Sequence, residues 1–383
     1  MATYSGVDAI LMLGTSSPSP APADITAAVR SIDVLQDDSG QSGFQIVFHA
    51  GKNSSSSQGY PIVGNSLLLP FNRVVIQVNL YGTVTVLMDG VITHLQLSAG
   101  NEPEGAIYTV TGEDIGVMLN LQERIADYPA MDEASIAQQI LGQYSSYGLQ
   151  AQVTTPDPVD KPAPNDYVPV QHSTDWQYLS RLAERLGFIF YIQPGSSAGT
   201  NIAYWGPPVI DSTPQKAITA DLGPGTNVLG APLFEYDALA AATVTGLVQD
   251  RETDVVSDPD ITADDSERPA LTANPAVTAQ AQVRTLLLDL GEGRTSSEAT
   301  AYAQGVVDER SGRVMRLSGV LDGIRYGSVL KTRALVDVRG GGVMYDGKYY
   351  VNRVLHRLNR QSYQQKFAIT REGWGAAEQT VQV

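Results

Sequence analysis

A chain of 383 residues with 43% hydrophobic and 17% charged side chains can form two or more compact domains and bury real cores. It contains no cysteine, which excludes disulfide scaffolds, thiolate metal sites and cysteine nucleophiles. The first twenty residues lack a basic segment, and their apolar run Ala9–Leu13 is too short for a signal peptide. No stretch reaches the ~18 apolar residues of a membrane helix, so the expectation is a protein made in the cytoplasm without membrane insertion.

The net charge of −16 is unevenly spread. Between Arg310 and Arg371 there are thirteen Lys/Arg against three Asp/Glu, a local +10, leaving about −26 elsewhere. Two readings fit. One is a basic surface facing an acidic neighbour or a nucleic-acid path; the other is a sheet carrying Arg and Lys on its solvated face.

Taken in chain order, Ile25–Ala50 alternates with period two over Ala28–Val34 and Gly43–Phe48, which predicts a hairpin. A serine-rich loop, Gly51–Gly59, follows. Strands are predicted at Arg73–Leu80, Gly82–Met88, Val91–Leu97 and Ile107–Thr111, with Asp89-Gly90 as a tight type I′ turn. The period then changes. Ile136, Ile140 and Leu141 mark a helix over Asp132–Tyr144, with Asp132 as its cap. Five prolines rule out helix across Thr154–Pro169. Ser173 is expected to cap a second helix whose apolar face is Trp176, Leu179, Leu182, Ala183 and Leu186, with Gly187 ending it. Phe188–Ile192 and Asn201–Trp205 then read as a strand and its return. Strands resume at Leu233–Asp237 and Ala242–Gln249. An acidic stretch (Asp250–Glu267), a helix (Ser296–Glu309) and several strands from Arg313 to Ile369 complete the chain, with Gly375–Val383 frayed.

Two stretches echo one another. Asp89-Gly90 precedes a strand, a polar turn and Tyr108–Glu113; Asp346-Gly347 precedes Tyr349–Leu355, a polar turn and Phe367–Gly373. The pattern points to a duplicated β unit. It predicts that Val84–Thr111 and Val343–Thr370 superpose, with their Asp-Gly pairs at corresponding corners and Tyr108 and Phe367 on comparable faces.

Catalytic patterns are weak. His49, His94, His172 and His356 are scattered, and none has a second histidine or a carboxylate at i+3 or i+4 within a helix. Gly195–Gly199 matches Gly-x-Ser-x-Gly, but it falls between two predicted strands, not at the strand-to-helix turn a nucleophile elbow needs. Gly291–Gly293 and Gly340–Gly342 do not open helices with Lys-Ser/Thr, so neither reads as a phosphate loop. The acidic run at Asp258–Asp260 and Asp264–Asp265 lacks EF-hand spacing and reads as a solvated loop. No catalytic, cofactor-binding or metal-ligating residue is assigned, no cofactor is expected, and the chain reads as non-enzymatic.

Gln171–Gly187 (QHSTDWQYLSRLAERLG) followed by Phe-Ile-Phe-Tyr-Ile resembles the phage late-control protein D, or baseplate hub, family and the hub half of type VI secretion VgrG proteins. So does Val338–Arg371, with Gly347-x-Tyr-Tyr-Val, Val354-x-His356, Tyr363 and Phe367. The resemblance implies a mainly β fold, two tube-type β-barrel domains flanking a small α+β module. The expected layout is an N-terminal segment (1–24), a first tube-like domain (25–122), a middle module with the Pro-rich linker (123–232), a second tube-like domain (233–374) and a tail (375–383). It further implies a structural hub of a contractile phage tail or related injection system, residing in the virion baseplate. Such a hub is a homotrimer adapting the hexameric tail tube to the trimeric spike. Its partners would be the tail tube protein or tube initiator and the central spike protein, with tape measure and baseplate wedge proteins nearby. DNA would pass the lumen without specific binding. The chain stops soon after the closing hairpin, so a separate spike protein is expected. The alternative is a surface or secreted β-rich carbohydrate-binding module.

Overall fold

The computed structural model describes residues 6–38, 40–51, 59–99, 105–157, 159–165, 167–210, 213–250, 253–256, 261–289 and 295–377. Most of the serine-rich loop, Asp258–Asp260 and Gly291–Gly293 lie outside these residues.

The N-terminal half is built from β1 (Val7–Gly14), β2 (Ser19–Pro20), α1 (Ala23–Ala28), β3 (Val29–Asp37), β4 (Gly43–His49), β5 (Arg73–Leu80), β6 (Thr83–Ser98) and β7 (Ile107–Asp114). The expected hairpin is present: β3 and β4 pair antiparallel. The N-terminal segment contributes β1, which runs antiparallel to β5 from Val7↔Leu80 to Gly14↔Arg73. Its apolar run therefore belongs to a sheet.

Asp89-Gly90 is not a turn. It lies inside the single strand β6, and the actual corner is Tyr81-Gly82, where both residues have positive φ. Burial overrides the local preference. Asp89 is fully buried against the Arg73 guanidinium at 2.7 Å. A Cβ on Gly90 would stand 2.1 Å from the Glu113 carbonyl oxygen, so glycine is kept for close strand approach.

The middle module comprises β8 (Glu123–Asp127), α2 (Glu133–Gly142), β9 (Leu149–Val153), β10 (Val170–Thr174), α3 (Asp175–Arg185), β11 (Ile189–Pro194) and β12 (Asn201–Gly206). Asp132 caps α2 through the Ser135 amide, as its position predicts. The cap of α3 is Thr174, one residue later than expected; Ser173 sits in β10 and its hydroxyl accepts from Arg181. Leu179, Leu182 and Ala183 are buried, Trp176 and Leu186 pack at the margin, and Gly187 at φ +64° ends the helix. Trp205 is also buried there and donates to the Leu179 carbonyl.

The C-terminal half holds β13 (Gln215–Thr219), β14 (Val228–Tyr236), β15 (Ala242–Leu247), β16 (Ile261–Ala263), β17 (Thr272–Pro275), α4 (Ala276–Ala279), β18 (Arg284–Asp289), α5 (Ser296–Ser311), β19 (Met315–Asp322), α6 (Gly323–Tyr326), β20 (Leu335–Arg339), β21 (Gly347–Asn359), β22 (Tyr363–Arg371) and β23 (Gly373–Ala376). The strands β15, β16 and β18 carry α5 on one face through Val244, Ala263, Ala299, Ala303 and Val307. This small insert separates β14 from β19. Gly375 and Ala376 are not frayed: β23 pairs antiparallel with β17.

The fold is mainly β. One sheet runs β14-β19-β22-β21-β3-β4-β7-β6-β5-β1-β2, with β20 and β13 branching from β21. The β3·β21 pair welds the two halves into it, and among the described residues this sheet does not close into separate barrels. The cores interlock as well, since Val329, Leu358 and Tyr363 of the second half pack with the first-half core.

Candidate docking surface

The two halves follow one plan. In chain order, β1, β3, β4, β5, β6 and β7 correspond to β13, β14, β19, β20, β21 and β22. The pairings β1·β5, β3·β4, β4·β7, β5·β6 and β6·β7 then match β13·β20, β14·β19, β19·β22, β20·β21 and β21·β22. Even the irregularities correspond. The β6·β7 hairpin shifts register between Ile92 and His94, and the β21·β22 hairpin between Val351 and Arg353. The β3·β4 and β14·β19 pairs both shift near their N-terminal ends. Bulges are placed features of a fold, so coincident bulges mark equivalent strands. One pairing departs from the plan: β13·β20 is parallel, whereas β1·β5 is antiparallel.

The duplicated plan leaves one difference at the edges. At the weld, β3 lies along the outer half of β21 from Asp37↔Arg353 to Ser31↔Asn359. The corresponding edge of β6, His94–Ser98, pairs among the described residues with β7 alone. The counterpart of β3, strand β14, likewise pairs with β19 alone. Two edges are thus open. The open stretch of β6 carries neither proline nor a charged Lys or Glu, the usual protections of an edge.

Burial records the same asymmetry. Leu97 faces the core side opposite Tyr108, yet it is 40% exposed. Its counterpart His356, opposite Gln365 and covered by Val34 of β3, is fully buried. Tyr108 and Phe367 both point inward and are buried. The Asp-Gly pairs, by contrast, do not sit at corresponding corners: one is within β6 and the other enters β21.

The sheet's other face is polar and solvated. One row crosses seven strands through Asp322, Gln364, Arg357, Asp33, Gln45, Thr111 and His94. Much of the basic segment is spent here or inside. Arg357 pairs with Asp33 at 3.5 Å, Arg353 with Asp37 at 2.9 Å, and Arg313 with Glu309 at 2.7 Å. Arg333 lies over the Tyr191 ring at 3.7 Å and Arg371 over Tyr349 at 4.3 Å. The strand spacing of the basic residues, with acidic partners on β3, fits the solvated-sheet reading for these positions.

The remaining titratable groups are fixings, and several fasten the middle module. Asp89 accepts from Arg73 and from the Gly199 amide, while Arg73 also donates to the Tyr147 carbonyl. Asp114 accepts from the Ser42 and Gly116 amides, and burial raises its pKa to about 7. Burial lowers His356 to about 3, with Nδ1 2.9 Å from the Tyr363 hydroxyl. His49, His94 and His172 are exposed on separate strands. The Gly195–Gly199 match lies in the β11–β12 loop, as its setting predicts.

Glu133, Asp160 and Glu298 bring carboxylate oxygens within 4.8 Å of one another, a grouping the sequence reading missed because three distant segments supply it. These residues could hold a cation. Arg185 already occupies the neighbourhood, bonded to Glu298 at 2.8 Å, and Glu298 is also committed to the Thr295 amide at the start of α5. Burial, then the charge of Glu298, raises Glu133 to about 7. The cluster ties α2 and α3 to the insert.

No family model matches the chain, and no curated protein matches it by sequence. Solved structures do. The tail protein of Neisseria meningitidis MC58 aligns over 96% of this chain and 97% of its own, at 14% identity and TM-score 0.63. The 43 kDa tail protein of prophage MuSo2 from Shewanella oneidensis aligns over 96% and 98%, at 12% identity and TM-score 0.63. An Escherichia coli protein described as a component of the type VI secretion system covers 91% of this chain and 76% of its own, at 13% identity and TM-score 0.54. The chain therefore has the fold of phage tail proteins and of type VI secretion components, and the resemblance seen in two short segments extends over nearly its whole length.

Proposed function

We propose that the chain is a structural, non-enzymatic hub of a contractile tail or related injection system, working as a homotrimer between a hexameric tube and a trimeric spike. The observation that carries this reading is the duplicated strand plan. Three chains present six similar units, which is how threefold and sixfold partners can share one axis. In this reading residues 25–122, joined by β1, and 233–374, joined by β13 and the start of β14, hold the tube-type domains, and the rest of 123–232 is the middle module. The polar row from Asp322 to His94 lines the lumen, where its mostly uncharged side chains, with two Asp and one Arg, give cargo or DNA no specific hold. Tube and spike proteins dock at opposite ends of the ring, in a virion baseplate or its equivalent.

The sugar-binding alternative has less support. The exposed aromatics Phe71 and Tyr81 flank opposite ends of β5 and stand roughly 25 Å apart along the strand, too far for one stacking platform. Analytical ultracentrifugation and electron microscopy of the assembled particle test the hub reading. A trimer on the tail axis is expected. A monomer persisting at high concentration with the spike protein present overturns it.

A further inference from the structure

We propose that Glu133, Asp160 and Glu298 hold a calcium ion that staples the Pro-rich segment to the middle module and to the insert. The inference is independent of the hub reading. Two of the three ligands stand at helix starts: Glu133 opens α2 beside its cap Asp132, and Glu298 lies in the first turn of α5. Asp160 comes from the Pro-rich segment, outside both helices. Each carboxylate offers an oxygen, and these lie within 4.8 Å of one another. Calcium binds oxygens at ~2.3–2.6 Å, so ligands on opposite sides of the ion stand about 5 Å apart and one ion can reach all three. A set made of carboxylates alone favours such a hard cation over zinc or copper.

Glu133 singles this grouping out. The residue is only 8% exposed, and its Oε2 is buried without a hydrogen-bond partner. An unpaired carboxylate oxygen in that setting is unfavourable, and a cation removes the penalty. The local charge points the same way. Arg185 bonds Glu298 at 2.8 Å, so one positive charge faces three ionisable carboxyl groups. Arg181 lies nearby but donates to the Ser173 hydroxyl. Glu298 can ligate without leaving its helix cap: Oε2 accepts from the Thr295 amide and Oε1 from Arg185, and each oxygen keeps a second lone pair. Asp160 borders two cavities. One of about 230 Å³ is shared with Glu133, Tyr167, His172 and Arg185, and a smaller one of about 60 Å³ with Glu298. They give room for the waters that complete a shell of ~6–8 ligands and a path for the ion to enter.

The full chain, stripped with chelator and titrated with calcium chloride in a calorimeter, tests the site. One calcium per chain is expected, with an unfolding midpoint that rises as calcium is added. Glu133→Gln and Asp160→Asn should each weaken binding by about tenfold or more, because affinity follows ligand charge. Asp264→Asn, on the exposed acidic stretch, should leave binding unchanged and so controls for loose association at the surface. In chelator Glu133→Gln should be no less stable than the parent chain, since the amide removes a like charge; in calcium it should be the less stable of the two. A carboxylate held only by protein groups would not reverse the order. Should Glu133→Gln fail to fold, Asp160→Asn decides by the same comparison of affinities. The site is overturned by absence of saturable calcium binding or by binding that survives both substitutions. A Glu133→Gln chain that is weaker in chelator as well as in calcium also overturns it.

Discussion

The two halves of the sheet share strand order, pairing and bulges, yet they differ in how they solve the problem of polar groups inside. In the first half β5 and β6 bury an ion pair, Arg73–Asp89. At the matching places of the second half stand Leu335 and Lys348; there His356 bonds Tyr363, Gln365 accepts from the Leu330 amide, and the buried Arg371 donates to the Met344 and Asp346 carbonyls beside the Tyr349 ring. The difference follows the neighbours. Asp89 and Arg73 reach Gly199 and Tyr147 of the middle module, whereas on the other side Arg333 lies on Tyr191. Alternating apolar residues and bulges therefore set the common plan, and polar fixings are chosen locally by what each half must hold.

That comparison can be broken most forcefully at the ion pair. Asp89→Ala leaves a buried, unpaired guanidinium and should cost about 3–5 kcal/mol in urea unfolding. The double change Asp89→Ala with Arg73→Leu should cost much less, since a second-half-like leucine then fills the site. Equal losses in the single and double variants would show that the pair is not the fixing described. Next in size, Leu179→Ala in α3 should cost about 2–5 kcal/mol, because the side chain is fully buried in the middle-module core. A loss well under 2 kcal/mol would mean the module repacks around the gap.

The pH dependence of stability should differ in sign between the halves. His356 is held far below its ordinary pKa of 6.5, to about 3. The unfolded chain thus binds more protons between these values, and this contribution is full above pH 6.5 and lost as pH falls toward 3. Asp114 is raised from 3.8 to about 7. Here the folded state holds the extra proton, so stability from this group is greatest below pH 3.8 and declines as pH rises to 7. His356→Gln should flatten the acid limb and Asp114→Asn the opposing slope, each by at most about 1.4 kcal/mol per pH unit. Identical pH profiles for both variants would contradict the assignment. The smallest effect belongs to the weld's outer face. Arg357 is 55% exposed, so Arg357→Ala should change stability by only about 0–1 kcal/mol and by less still in high salt.

How much of this was legible depended on range. The α3 helix could be read because Leu179, Leu182 and Ala183 repeat with the helical period, and its end because Gly187 can adopt positive φ. The β3–β4 hairpin was likewise visible as alternation over neighbouring residues. Asp89-Gly90 misled because a dipeptide's turn preference is a local average, outweighed here by a buried charge and a close strand. The cap of α3 moved by one residue because Ser173 and Thr174 offer the same hydroxyl, and only the strand before the helix selects between them.

The sequence by itself determined the mainly β character and the position of the α+β module, since each rests on periodicity within a few tens of residues; the repeated β unit it suggested was anchored on Asp-Gly pairs that stand at unlike points of their strands. The tertiary structure decided what distance hides. It joined β1 to β5 and β17 to β23, gathered Glu133, Asp160 and Glu298, and welded β3 to β21 across more than three hundred residues. Such pairings are selected by burial and backbone hydrogen bonding between segments brought together only in the folded chain, and neither leaves a local pattern to read.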